Sequence, residues 1–143
     1  MIPDEAVELV NRVRLGYVAT VAKDNTPNLS PKGSVFAMDS DHLVFADIRS
    51  PGTVENLRSN PIVEINVVDA ISRRGYRFRG AATILEEGDE LEDIIAAYKT
   101  RNLKSEINVA VKIKVETVSE IRSPLYDLGI SEEDIRDSFK DKN

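Results

Sequence analysis

The sequence predicts a mainly β fold, a small antiparallel barrel of six strands with a few helices, closed or nearly closed. Three observations predict it. Segments rich in β-branched and aromatic residues recur at hairpin spacing. Few helical patterns interrupt them, so successive strands have near neighbours to pair with. At 143 residues and 41% hydrophobic, the chain suits one domain, 1–143, with a real core.

The elements follow in order. Pro3, Asp4 and Glu5 open a helix whose apolar residues Ala6, Leu9, Val10 and Val13 recur at helical spacing, and Gly16 lies just past its end. Tyr17 to Ala22 is a strand, Lys23 to Thr26 a turn, and Asn28 to Met38 a returning strand, which together make a hairpin. Asp39, Ser40, Asp41 and His42 form the next turn, placing the only histidine at the surface. The apolar strand Leu43 to Ala46 runs into Arg49. There Ser50 is a good N-cap and Pro51 a good first residue for a short helix ending before Asn60-Pro61. Strands follow at Ile62 to Val68, Tyr76 to Leu85 and Glu106 to Val118, the last alternating Val109, Val111, Ile113 and Val115 against Ala110, Lys112 and Lys114. Between the last two, Gly88 to Asn102 carries Leu91, Ile94, Ile95 and Tyr98 at helical spacing, with acidic residues early and basic ones late. Ser131 with Asp134 resembles a capping box before a short charged helix or frayed tail.

Composition narrows the function. A net charge of -6 argues against nucleic-acid binding through bulk electrostatics. The apolar runs are too short for a membrane helix, and the acidic start is unlike a signal peptide, so a cytoplasmic protein is expected. The absence of cysteine removes disulfides, thiolate metal sites and Cys nucleophiles. One histidine and scattered carboxylates make neither a metal cluster nor a Ser-His-Asp arrangement.

Three places could carry chemistry. At Arg49-Ser50-Pro51, the free amides of Gly52, Thr53 and Val54 should point outward beside two hydroxyls and a guanidinium, as phosphate-binding helix starts do. An ordinary capped helix with a solvated Arg is the plainer alternative. In Asn28 to Val35, Ser30, Lys32 and Ser34 share a strand face while Pro31 and Gly33 interrupt the other, suggesting either a bulged edge with a solvent-facing Lys or a flat ring lying close to the backbone. In Arg73 to Thr83, four arginines fall within seven residues, which fits a bound anion, a salt-bridged surface or a subunit interface.

In order, Gly16-Tyr17-Val18-Ala19-Thr20, Pro27-Asn28-Leu29-Ser30-Pro31-Lys32, Leu43-Val44-Phe45-Ala46-Asp47 with Ser50 and Thr53, Asn56-Leu57, Asn60-Pro61 and Arg77-Phe78-Arg79-Gly80-Ala81-Ala82 resemble the flavin-binding split-barrel family that includes pyridoxamine 5'-phosphate oxidase. The resemblance covers roughly 12–122 and leaves 123–143 as a helical tail. It implies a six-stranded split barrel and a homodimer with FMN at the subunit interface. By this resemblance Ser30, Pro31, Lys32, Gly33, Ala46, Asp47 and Ile48 contact the flavin ring. Arg49, Ser50, Thr53 and Asn56 hold the phosphate, with further neutralising charge from Lys32 or from Arg77 and Arg79, of this subunit or of a partner. The chain departs from the family pattern in carrying Thr53 where a phosphate-loop lysine is usual, and it lacks the terminal arginine-rich motif with its tryptophan. The implied activity is therefore that of an FMN-dependent oxidoreductase with a small-molecule electron donor or acceptor, and not oxidation of pyridoxamine phosphate itself. A deazaflavin (F420)-dependent reductase and a non-catalytic carrier of flavin or haem are the alternatives.

Overall fold

The computed structural model describes residues 1–48, 51–103 and 105–140. Its elements are α1 (Asp4–Val13), β1 (Gly16–Val21), β2 (Pro27–Lys32), β3 (Phe36–Ala37), β4 (His42–Asp47), α2 (Pro51–Ser59), β5 (Ile62–Asp69), β6 (Arg74–Leu85), α3 (Asp89–Thr100), β7 (Val109–Arg122), a 3-10 turn (Pro124–Leu128) and α4 (Glu132–Lys140). The seven strands form one antiparallel sheet in the order β2-β1-β5-β6-β7-β4-β3. The sheet curls so that Val18, Ile65, Val67 and Phe78 from one half meet Leu43, Phe45, Val111 and Ile113 from the other in a single core. Among the described residues no ladder joins β2 to β3 or β4, so the barrel is split along that line.

Seven strands stand where six are expected, because Asn28 to Met38 is not one strand. The chain leaves its ladder with β1 at Lys32, turns at Gly33 and Ser34, and joins β4 only through Phe36 and Ala37. Ser34 holds the corner as a strand partner would: its Oγ accepts from the Ala46 amide at 3.0 Å, while its carbonyl accepts from Tyr98 Oη at 2.7 Å.

Strand β4 explains its own unbroken apolar run, since both of its faces are buried. Leu43 and Phe45 point into the barrel, whereas Val44 and Ala46 lie under α3 with Leu91, Ile94, Tyr98 and Ala110. Helix α1 closes the interior with Ala6, Leu9 and Val10, of which Leu9 and Val10 each contribute about 1.5–3 kcal/mol at full burial. Its end is made by Arg14 in the left-handed region at φ 64°, not by Gly16. Gly16 instead opens β1, where a Cβ would stand 2.7 Å from Val35 Cγ2. His42 is likewise the first residue of β4 and not a turn residue; its Nδ1 sits 2.8 Å from Asp39 Oδ1. At the register shift between Arg79 and Gly80, a Cβ on Gly80 would meet the Lys114 carbonyl at 2.0 Å.

The tail is an ordered helix. The Asp134 amide donates to Ser131 Oγ at 3.2 Å, and Ile135 is fully buried. Arg136 reaches Asp69 at 3.3 Å, and the Arg73 guanidinium lies 3.9 Å from the Phe139 ring centre. Among the described residues no helix is long and apolar enough to cross a membrane.

Candidate functional site: the crevice at the split

Alternation along β2 and β4 puts Ser30 and Lys32, and Leu43, Phe45 and Asp47, on the inward face. Lys32 and Asp47 therefore meet across the split, Nζ to Oδ1 at 3.7 Å, with only 6% and 11% of their side chains exposed. The ammonium also stands 5.9 Å from the Phe45 ring centre. Burial pulls the Lys32 pKa below the ordinary lysine value, and the Asp47 carboxylate offsets part of that.

Beside the pair a crevice of about 260 Å³ opens, lined by Pro31, Lys32, Gly33, Ser34, Ala46, Ile48 and Leu103. Five of the residues assigned to ring contact in the sequence thus share one wall: Pro31, Lys32, Gly33, Ala46 and Ile48. Asp47 joins them through Lys32, and Ser30 lies one inward step back along β2, opposite Val18.

The expected phosphate cluster is described in part. Arg49 and Ser50 lie outside the described residues. Thr53, in the first turn of α2, is buried, and its Oγ1 has no hydrogen-bond partner among them. Asn56 spends a donor internally, Nδ2 to Thr20 Oγ1 at 3.1 Å, which ties α2 to β1. Arg77 and Arg79 do not line the crevice. They stand on the outer face of the sheet, where Arg77 Nε donates to Asn66 Oδ1 at 3.1 Å and Arg79 Nη2 to Glu64 Oε1 at 3.4 Å.

Sequence reasoning missed the continuation of the crevice. A smaller hollow of about 70 Å³ shares Gly33, Ser34 and Leu103 with it and extends to Arg14, Phe36, Tyr98 and Arg101. Arg101 lies 4.3 Å over the Phe36 ring centre, and Arg14 Nη1 donates to the Arg101 carbonyl at 3.2 Å. Both arginines read as ordinary helix-end cations, so nothing local marked them. A larger hollow of about 500 Å³ lies between α1, β6 and α4, but ion pairs form much of its wall. There Arg12 bonds Glu8 and Asp69, and Arg136 bonds Asp69 and Glu132. Its cations are committed within the protein. Among the described residues no three His, Asp or Glu side chains are placed to hold a metal.

A split barrel with a cleft at the unpaired strand edges defines a class, and comparison with known proteins agrees. The model of the pyridoxamine 5'-phosphate oxidase family matches residues 2–122, and the chain belongs to that family. It is similar to HupZ of Group A Streptococcus, with 32% identity over 86% of this chain and 96% of that one and a TM-score of 0.75. An FMN-binding protein from Syntrophomonas wolfei subsp. wolfei shares the fold at 16% identity, covering 82% of this chain and 84% of its own, with a TM-score of 0.70. An F420 reductase does so at 21% identity, covering 82% and 98%, with a TM-score of 0.66. No curated protein matches the chain.

Proposed function

We propose that this protein is an FMN-binding flavoprotein acting as an oxidoreductase, and that it works as a homodimer. The observation that carries the reading is the crevice, where two strand ends that no ladder joins present a buried cation, a glycine and the apolar Pro31, Ala46 and Ile48. The residues fit the cofactor in a second respect. Thr53 has a buried hydroxyl without a partner among the described residues, in the first turn of a helix, where amides and dipole favour a phosphate. The family and its FMN-binding structural neighbour support the same reading.

The place of the crevice suits a dimer. It opens at strand edges that pair with nothing in the described residues, where a second subunit can complete the wall around a cofactor. The outer face beside β2 exposes Leu29 (68%), Ile62 (57%) and Tyr17 (45%) near Arg77 and Arg79, an apolar patch suited to that contact.

Bound FMN supplies the electron-transfer chemistry, and the chain supplies position and field. Lys32 is placed to stabilise negative charge that accumulates on a ring lying in the crevice. Lys32→Met should lower the flavin midpoint potential by some tens of millivolts, on the order expected for one charge a few ångströms away in a partly wet site. An unchanged potential would remove that role.

Absorbance of the purified protein and FMN titration by fluorescence quenching test the reading. A yellow preparation or saturable quenching is expected, with Thr53→Val weakening FMN about tenfold for one hydrogen bond to a charged group. A colourless protein that leaves FMN fluorescence untouched overturns it. A deazaflavin spectrum would make the cofactor F420. Tight flavin binding without NAD(P)H consumption would make the protein a carrier.

A further inference from the structure

We propose that Asp47 is a positioning residue of the crevice: its carboxylate reaches across the split from β4 and holds the Lys32 ammonium at the wall against which a bound ring would lie. The part concerning the ring rests on the flavin reading above. The pairing itself stands on geometry.

The inward faces of β2 and β4 are otherwise those of an apolar core, with Val18, Leu43 and Phe45 buried there. A lysine on such a face is held charged only if a carboxylate shares its desolvation. Among the described residues Asp47 is the acidic group within ion-pair distance of Lys32, and the Phe45 ring is its aromatic neighbour. The α3 side of the crevice contributes the apolar Leu103. The two strands share no ladder, so this contact also fixes their spacing at the point where the crevice opens. Asp47 thus acts through Lys32, keeping one positive charge at a set place in an acidic protein. Substituting Asp47 should leave the amine buried without its partner and push it towards the neutral form.

The test is a pH titration of the Lys32 side chain by NMR of lysine-labelled, ligand-free protein, in the native chain, Asp47→Asn and Asp47→Glu. The expected result is a titration midpoint lower by about one pH unit or more in Asp47→Asn, as for loss of an opposite charge within a few ångströms, and recovery in Asp47→Glu. Identical midpoints in all three overturn the proposal. If Asp47→Asn does not fold, the doubly substituted Lys32→Met/Asp47→Asn protein should fold, because it no longer buries a lone charge; failure of both overturns the proposal as well. With FMN added, Asp47→Asn should bind about tenfold more weakly at a pH above its Lys32 midpoint, while Asp47→Glu binds as the native chain does. Equal affinity in all three removes the positioning role. Absence of FMN binding by the native chain sinks the flavin reading instead, and the titration alone then decides the pair.

Discussion

Asp69 shows how much one carboxylate can organise. It ends β5 with its side chain buried, receives the amides of Ile71 at 2.9 Å and Ser72 at 3.3 Å, and pairs with Arg12 at 3.0 Å and Arg136 at 3.3 Å. Burial alone would raise its pKa, but the Ile71 amide, Arg12 and the Ser72 amide outweigh that and hold it at about 2, below the ordinary 3.8. A depressed carboxyl stabilises the fold above its unfolded pKa and ceases to do so as pH falls through the folded one. Asp69 therefore contributes about 2 kcal/mol above pH 4 that is lost between about pH 4 and pH 2. Urea unfolding across that window should show the loss, and Asp69→Asn should lack this share of it. Nothing in the sequence singled out Asp69, because its partners come from both ends of the chain. Lys32, by contrast, was marked in the sequence by the Pro31 and Gly33 that interrupt its strand, but its burial was not, since the carboxylate that shares it lies on a strand not adjacent in the chain.

At the scale of elements, what could be read were periodicities, and what could not were corners and contacts. Helix α3 and strands β5 to β7 followed from patterns whose apolar faces are the buried ones. The break between β2 and β3 was hidden because Val35, Phe36 and Ala37 keep β-forming character through the turn. The ladders show that the chain changes partner there, and the Ser34 and Tyr98 hydrogen bonds hold the corner. Helix α4 was harder still: its charged surface reads as a solvated or fraying segment, yet Ile135 is fully buried and Phe139 packs on Arg73. Ile135→Ala should cost about 2–5 kcal/mol, as for a large aliphatic removed from a packed site, measured by thermal or urea unfolding. A cost below about 0.5 kcal/mol would mean that α4 is not docked in solution.

For the whole molecule, the outer face beside β2 is the surface on which the proposed dimer can be tested. Leu29, Ile62 and Tyr17 share that face of the curled sheet with Arg77 and Arg79, which both face the Glu64 carboxylate while Arg77 also donates to Asn66. The proposed dimer predicts that Leu29→Lys shifts the sedimentation coefficient from that of two chains towards one and lowers FMN affinity at the same time. A native chain that sediments as a single chain would leave the crevice without its second wall. Neither the patch nor the incomplete cleft could be read from the linear order, since each is assembled from strands distant in the chain. The family resemblance, not periodicity, named the residues of the cleft, and nothing in the sequence marked the patch.

A sheet that does not close carries free edges, and free edges invite another chain to add a strand. In this protein both are blunted. β2 carries Pro27 and Pro31, which have no amide hydrogen to offer, and β3 is only two residues long. The gap can thus stay open to a small molecule without becoming a template for fibre-like addition.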